Sequence, residues 1–239
     1  MYADDLAHIH HRGFTSLARG MAPALISLVR REGFRGDARQ AAPIVEVGCG
    51  SGVLAERFLA AGYDVLGIDR SPSMIRIARA TAPGARFRVA SLERARLPRA
   101  IAVIAIGEIM TYVPGGLPVL ARFFRNVRRA LVPGGLFIFD FIESTERRTY
   151  RRKEFAGDDW KIVLSAWTNH TGRMLTRDMT LWRRTGERTR TGHEAHRIRI
   201  YSRDEIGRAL TAAGFRFEMR RTLGGYRLIA GDLVVIARV

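Results

Sequence analysis

Residues 44–60 constrain the fold more than any other stretch. An apolar run at 44–47 enters the segment V-E-V-G-C-G-S-G at 45–52, and helical spacing follows at 53–60. A buried strand, a glycine turn and a helix in that order open a β-α-β unit. Gly48 and Gly50 suit a tight turn and close approach of a ligand to the backbone, and Gly52 suits close packing of the helix. The same rhythm repeats downstream. Runs at 65–68, 87–89, 101–106 and 136–139 are short, apolar and rich in β-branched or aromatic residues, while 73–81 and 117–130 carry helical spacing. Ser71-Pro72 supplies a cap with proline at the first helical position, and Pro133-Gly134-Gly135 a sharp stop. Strands that are apolar throughout are covered on both faces, so the expected core is a doubly wound, parallel α/β sheet.

The rhythm breaks after Asp140. Residues 160–166, 173–182 and 195–201 read as longer, alternating antiparallel strands with turns at Thr171-Gly172 and Thr185-Gly186. Ser202 then caps a helix running through Ala213, Gly214 ends it, and 216–221 and 233–237 close as two strands. The expected organisation is an N-terminal helical cap at 1–40, a core at 41–140 and 202–239, and an inserted antiparallel sheet at 141–201.

The ligand chemistry follows from charge beside the glycine turn. The second strand ends at Asp69, placed to accept both hydroxyls of an adenosine ribose, and Glu46 adds a second acid. Two acids repel a pyrophosphate and favour a cation. The spacing is G-x-G-x-G, without the G-x-G-x-x-G of nicotinamide binders or the G-K-[ST] of phosphate loops. S-adenosylmethionine, a sulfonium carrying adenosine, matches that demand.

Four segments together resemble the class I S-adenosylmethionine-dependent methyltransferases: I-V-E-V-G-C-G-S-G at 44–52, V-L-G-I-D-R-S-P-S-M-I at 65–75, A-I-G-E-I-M-T-Y-V at 105–113 and L-V-P-G-G-L-F-I-F-D at 131–140. The resemblance covers nearly all of 40–239. It implies a Rossmann-like seven-stranded sheet in the order 3-2-1-4-5-7-6 with the last strand antiparallel. It also implies cofactor contacts from Glu46, Gly48, Cys49, Gly50, Gly52, Asp69, Arg70, Met74, Ser91, Leu92, Ile106 and Gly107. Arg70 and Met74 would flank the adenine. Ala90-Ser91-Leu92 stands where the family usually offers an acid to the adenine amine, so Ser91 or backbone takes that place. For Met74, a place on the helix's core face is an equal alternative, and Cys49 reads as a small loop filler.

The acceptor side is less legible, because methyl transfer is an in-line displacement that mainly needs alignment and exclusion of water. The segment after the fourth strand is Ile106-Gly107-Glu108-Ile109, without the [DN]-P-P-[YW] of amino-methylating nucleic-acid and glutamine enzymes. A single cysteine, Cys49 in the cofactor loop, removes the thiolate-adduct route to C5-methylated pyrimidines. Glu108 reads either as a base or amine-orienting acid or as a solvated helix start, and Tyr112 as a pocket wall. Strand alternation places Glu194, His196, Ile198 and Ile200 on one face and Arg197, Arg199 and Tyr201 on the other. A carboxylate and an imidazole on an apolar face need a role or a partner. Glu194 orienting His196 as base is one reading and a structural histidine the other. The pattern E-x-H-x-x-R-x-Y at 194–201 resembles small-molecule methyltransferases with a β-sheet lid, which makes Glu194, Arg199 and Tyr201 substrate-facing. The same resemblance brings Tyr2 and Arg12 near the donor, from an N-terminal segment, 2–33, that reads as amphipathic helix.

The chain's 239 residues carry 40 basic and 23 acidic side chains, a net +17, with Lys153 and Lys161 its only lysines. The excess is diffuse, a net +8 over 1–140 and +9 over 141–239, with no basic tail. No apolar run approaches the roughly 20 residues that span a bilayer, and one cysteine excludes a disulfide framework and a multi-cysteine zinc site. The expectations are a cytoplasmic enzyme without metal or membrane partner, monomeric or homodimeric, methylating O or N of a small molecule and releasing S-adenosylhomocysteine. The alternatives are an RNA or protein substrate, supported by the charge, and a non-catalytic S-adenosylmethionine-binding module.

Overall fold

The computed structural model describes residues 4–34, 42–144 and 148–239. Two helices, α1 (Asp4–Gly13) and α2 (Ser16–Arg31), precede the sheet. The spacing at 2–33 predicts one helix. The chain instead breaks around Phe14, because α1 buries Leu6 and Ile9 in one apolar cluster while α2 buries Met21, Leu25 and Val29 in another.

The core then alternates as its pattern predicts: β1 (Ile44–Val47), α3 (Val53–Ala60), β2 (Val65–Asp69), α4 (Pro72–Thr81), β3 (Arg86–Val89), β4 (Ala100–Ala105), α5 (Gly116–Ala130) and β5 (Leu131–Ile142). Ser71 caps α4, its hydroxyl accepting the Met74 N–H at 3.3 Å, with Pro72 in the first turn. β5 is longer than its apolar heart suggests. It starts at Leu131, and a register irregularity against β4 absorbs the Pro-Gly-Gly turn.

After β5 the chain builds a separate antiparallel sheet from β6 (Tyr150–Ala156), β7 (Trp160–Thr168), β8 (Met174–Thr185) and β9 (Arg188–Arg199), in that spatial order. The sequence reading missed β6. It is an edge strand with almost every side chain exposed, so Tyr150-Arg151-Arg152-Lys153 carries no alternation to detect. β8 and β9 extend to a hairpin at Gly186, whose φ is +60°. Their outer halves carry arginine and threonine in place of the apolar residues that mark a strand. α6 (Arg203–Ala212), β10 (Arg216–Arg220), the ribbon β11 (Thr222–Leu223) and β12 (Tyr226–Arg227), and β13 (Asp232–Arg238) complete the chain. A capping box of Ser202 and Glu205 starts α6.

The main sheet runs β3-β2-β1-β4-β5-β13-β10, with β13 antiparallel to both neighbours. This is the expected 3-2-1-4-5-7-6 order of a Rossmann-like methyltransferase sheet. β1 and β4 are buried at every position, and apolar clusters cover both faces of the sheet. Among the described residues no helix is long and apolar enough to cross a membrane, and no cluster of three His, Cys, Asp or Glu is placed to hold a metal.

Candidate functional site

The parallel strands β1, β2 and β4 end on one side of the sheet, and the open cleft lies there, as expected at the carboxyl end of such strands. The turn after β1 holds Gly48, Gly50 and Gly52 at φ +73°, +51° and +79°, a region open to glycine at little cost. At Gly48 a Cβ would run into Ile109, and at Gly52 it would stand 3.0 Å from Ala78 of α4. Gly48 and Cys49 donate their N–H groups to the Ile68 carbonyl, tying the turn to β2.

Asp69 joins the two loops. Its Oδ2 accepts the Gly50 N–H at 3.0 Å and its Oδ1 the Ser71 N–H at 2.8 Å. Burial raises its carboxyl above the usual range, and these backbone N–H groups oppose the rise. The cleft, about 850 Å³ counting its open mouth, is lined by Gly48, Gly50, Asp69, Arg70, Met74, Ser91, Leu92, Ile106, Gly107 and Tyr112 among the residues singled out from sequence. His10 of α1 lines it from above; burial depresses its imidazole to about 4, so it is neutral at ordinary pH.

Three residues of the glycine segment stand behind the cleft. Gly52 packs on α4, and Cys49 is buried with its sulfur beside Gly67. Glu46 is also buried. Desolvation, then Asp69, pushes its carboxyl up to about 8, and its Oε2 has no hydrogen-bond partner. Burial thus works against the negative charge expected from Glu46 beside the turn.

Beyond Tyr112 a polar chain crosses to the second sheet. Glu108 follows β4 at φ +61°, and its Oε2 accepts from Arg177 of β8 at 2.6 Å. Arg177 also donates to the Tyr112 hydroxyl at 2.9 Å. The Tyr112 ring meets the His196 ring edge-on at 5.7 Å, and His196 shares a 3.0 Å hydrogen bond with Glu194. Cross-strand register sets His196 opposite Arg177 and Glu194 opposite Met179. Burial raises the Tyr112 phenol, opposed by the Arg177 charge.

Other sequence-singled residues lie elsewhere. Tyr2 falls outside the described residues. Arg12 lines a separate groove with Trp160 and Asp158. Arg199 turns toward Glu205, 3.7 Å away, and packs on the Tyr201 ring. Tyr201 is fully buried in the main core. β9 ends at Arg199 and Tyr201 bridges to Glu143, so strand alternation does not extend to it.

Arg177, Asp140 and Asp232 were missed. For Arg177 a signal existed: Leu175, Arg177, Met179 and Leu181 share one strand face, and a lone arginine among three apolar residues asks for a partner. For Asp140 the same signal existed, a lone acid between Phe139 and Phe141 in an apolar strand, whereas Asp232 opens β13 and is not marked by its neighbours. Desolvation first, then nearby acids, raises Asp140 to about 8 and Asp232 to about 7.

A family model described as a methyltransferase domain matches residues 44–135. A ubiquinone biosynthesis O-methyltransferase of Methylobacterium sp. (strain 4-46) is 34% identical over 113 residues, 44% of this chain and 42% of that protein. The chain spans about half the length of the curated relatives it matches. A Clostridium acetobutylicum S-adenosylmethionine-dependent methyltransferase superposes with a TM-score of 0.80 at 15% identity, covering 98% of this chain and 97% of that one. An amino pentose methyltransferase from Micromonospora echinaspora gives 0.76 at 19% identity, covering 100% and 98%. Residues 44–135 match a methyltransferase-domain model, and the chain shares the fold of solved S-adenosylmethionine-dependent methyltransferases.

Proposed function

We propose that the protein transfers a methyl group from S-adenosylmethionine to an oxygen or nitrogen of a small molecule. The observation that carries this reading is a cleft lined by Asp69, the glycine turn and Tyr112, with the hydrogen-bonded His196–Glu194 pair packed behind the Tyr112 ring and not on the cleft wall. The donor fits the residues present: Asp69 faces the cleft with a carboxylate, Met74 and Leu92 offer apolar walls, Gly50 leaves open space, and the orphaned Glu46 Oε2 stands under the turn. Bound S-adenosylmethionine supplies an activated methyl group on a sulfonium.

The chain's own side chains do the rest. Asp69 binds the ribose hydroxyls, Tyr112 and Ile109 exclude water from the transfer line, and His196 takes the proton that an acceptor hydroxyl or ammonium must lose. Glu194 stabilises the imidazolium that results. We assign α1 and the second sheet the part of a substrate lid, and the cytoplasm as the setting, on the strength of the lone buried cysteine. Two of the named proteins, a ubiquinone biosynthesis O-methyltransferase and an amino pentose methyltransferase, carry small-molecule names, which supports the same substrate class. The arginines bear on it too. Arg183 and Arg190 are paired with Asp5, Arg177 with Glu108 and Arg173 with Glu205, so they do not form an open cationic track around the cleft.

The test has two arms. Calorimetry is expected to show S-adenosylhomocysteine binding that Asp69→Ala weakens at least tenfold; unchanged affinity would remove the ribose assignment. A tritiated-methyl screen of metabolite extracts against total RNA is expected to label small molecules, with His196→Ala losing label at unchanged cofactor affinity. Label in RNA alone would reverse the substrate class.

A further inference from the structure

Asp140 is fully buried in β5, yet its Oδ1 accepts the backbone N–H groups of both Gly107 and Glu108, each at 2.8 Å. Those two residues follow β4 at φ +103° and +61°, and Glu108 is the one non-glycine described residue with positive φ. A side-chain-bearing residue held there is strained and persists only where its surroundings over-determine it. One carboxyl oxygen aimed at two consecutive amides is such a determinant.

The backbone it holds serves two places. Ile106 and Gly107 line the cofactor cleft, and the Glu108 side chain reaches Arg177. A satisfied core carboxylate would be the plainer account. It fails on the second oxygen, because Asp140 Oδ2 is buried without a partner, beside Phe139 and Phe141 in a strand otherwise built for apolar side chains. An apolar residue there would avoid that desolvation cost.

We infer that Asp140 is a positioning residue of the methyl-transfer site, setting the backbone of Gly107 and Glu108 and thereby the floor of the cleft and the aim of Glu108 at Arg177. The inference rests on the cleft being the cofactor site.

Calorimetry with S-adenosylhomocysteine, run on the full chain well below each variant's melting temperature, tests it. Asp140→Ala is expected to weaken binding at least tenfold, while Asp140→Asn, whose amide oxygen still accepts both N–H groups, stays within threefold. Phe139→Ala, which opens a cavity next door without touching the loop, is the control for general loosening and is expected within threefold. In a Glu108→Gly background, where the positive φ carries little cost, the loss from Asp140→Ala is expected to shrink below threefold. Unchanged affinity in Asp140→Ala would overturn the inference. So would equal losses in Asp140→Asn or Phe139→Ala, or an undiminished loss in the Glu108→Gly background. Failure of the wild-type protein to bind S-adenosylhomocysteine would instead overturn the cofactor reading beneath it.

Discussion

The main sheet and the second sheet solve burial in opposite ways. β1 and β4 are buried at every residue, between apolar clusters on both faces, and the phenylalanines of β5 pack ring on ring. The second sheet buries one face only, where Trp160, Ile162, Met179 and Leu181 meet Leu6 and Ile9 of α1. Its other face keeps Trp167 exposed. Between the two bodies the side-chain links include ion pairs, Arg177 with Glu108, Arg173 with Glu205 and Asp4 of α1 with Arg76 of α4, beside the edge-on contact of Tyr112 with His196. α1 therefore meets the second sheet through apolar contacts and through Asp5 with Arg183 and Arg190, and the core through Asp4 with Ser73 and Arg76. Apolar burial is indifferent to salt, whereas partly exposed pairs are screened by it. A ligand shelf built of the first and a cover joined by the second can differ in mobility within one chain.

The sharpest test of this contrast is a pair of cavities. Phe139→Ala, fully buried among Phe124, Phe137 and Phe141, is expected to cost about 3–5 kcal/mol of global stability in urea unfolding. Leu181→Ala in the second sheet is expected to cost about 2–3 kcal/mol, and hydrogen exchange is expected to confine its effect to α1 and β6–β9. Uniform exchange across both bodies would make them one cooperative unit.

The second test is pH. Glu46 and Asp140 stand at about 8 and Asp232 at about 7, all raised by burial. An acid whose pKa is higher folded than unfolded stabilises the fold at low pH, and the gain is lost as pH rises through the folded value. Between pH 6.5 and 8.5 the unfolded acids are already ionised, and the opposing contribution of His10, neutral in the fold but about half protonated when unfolded at pH 6.5, fades by about pH 7.5. Stability is therefore expected to fall across that window, and Asp140→Asn to flatten the slope. A rising or flat wild-type curve would contradict the buried, protonated state.

The smallest effect belongs to the charged pins. Asp5 meets Arg183 at 3.0 Å and Arg190 at 2.5 Å, both across to the second sheet. Asp5→Asn is expected to cost about 1 kcal/mol or less and to quicken S-adenosylhomocysteine release a few-fold in stopped flow, a difference that salt erases.

Much of the core was readable because its signals are local. The strand–glycine–helix passage, the Ser71-Pro72 cap and the spacing from Gly52 to Asp69 each lie within one short window. The second sheet was partly readable, since Glu194 and His196 share a face by period-two geometry. β6 was not, because an edge strand exposed on both faces needs no apolar alternation.

The sequence by itself determined the parallel core, its strand order through family resemblance, and the acid at the end of β2. Only the tertiary structure decided that Arg177 answers Glu108, 69 residues away, and that Asp140 holds the loop after β4 from 32 and 33 residues off. It also decided that Tyr201 is core and that burial raises the Glu46 carboxyl. The physical reason is common to all four. Hydrogen-bond partners and desolvation are set by groups distant in sequence, and a strand's pattern records which face is buried but not which charge waits there. Composition fixes the net +17, and the fold decides only where the arginines sit: those beside Asp5, Glu108 and Glu205 are paired, and the net charge is unchanged by it.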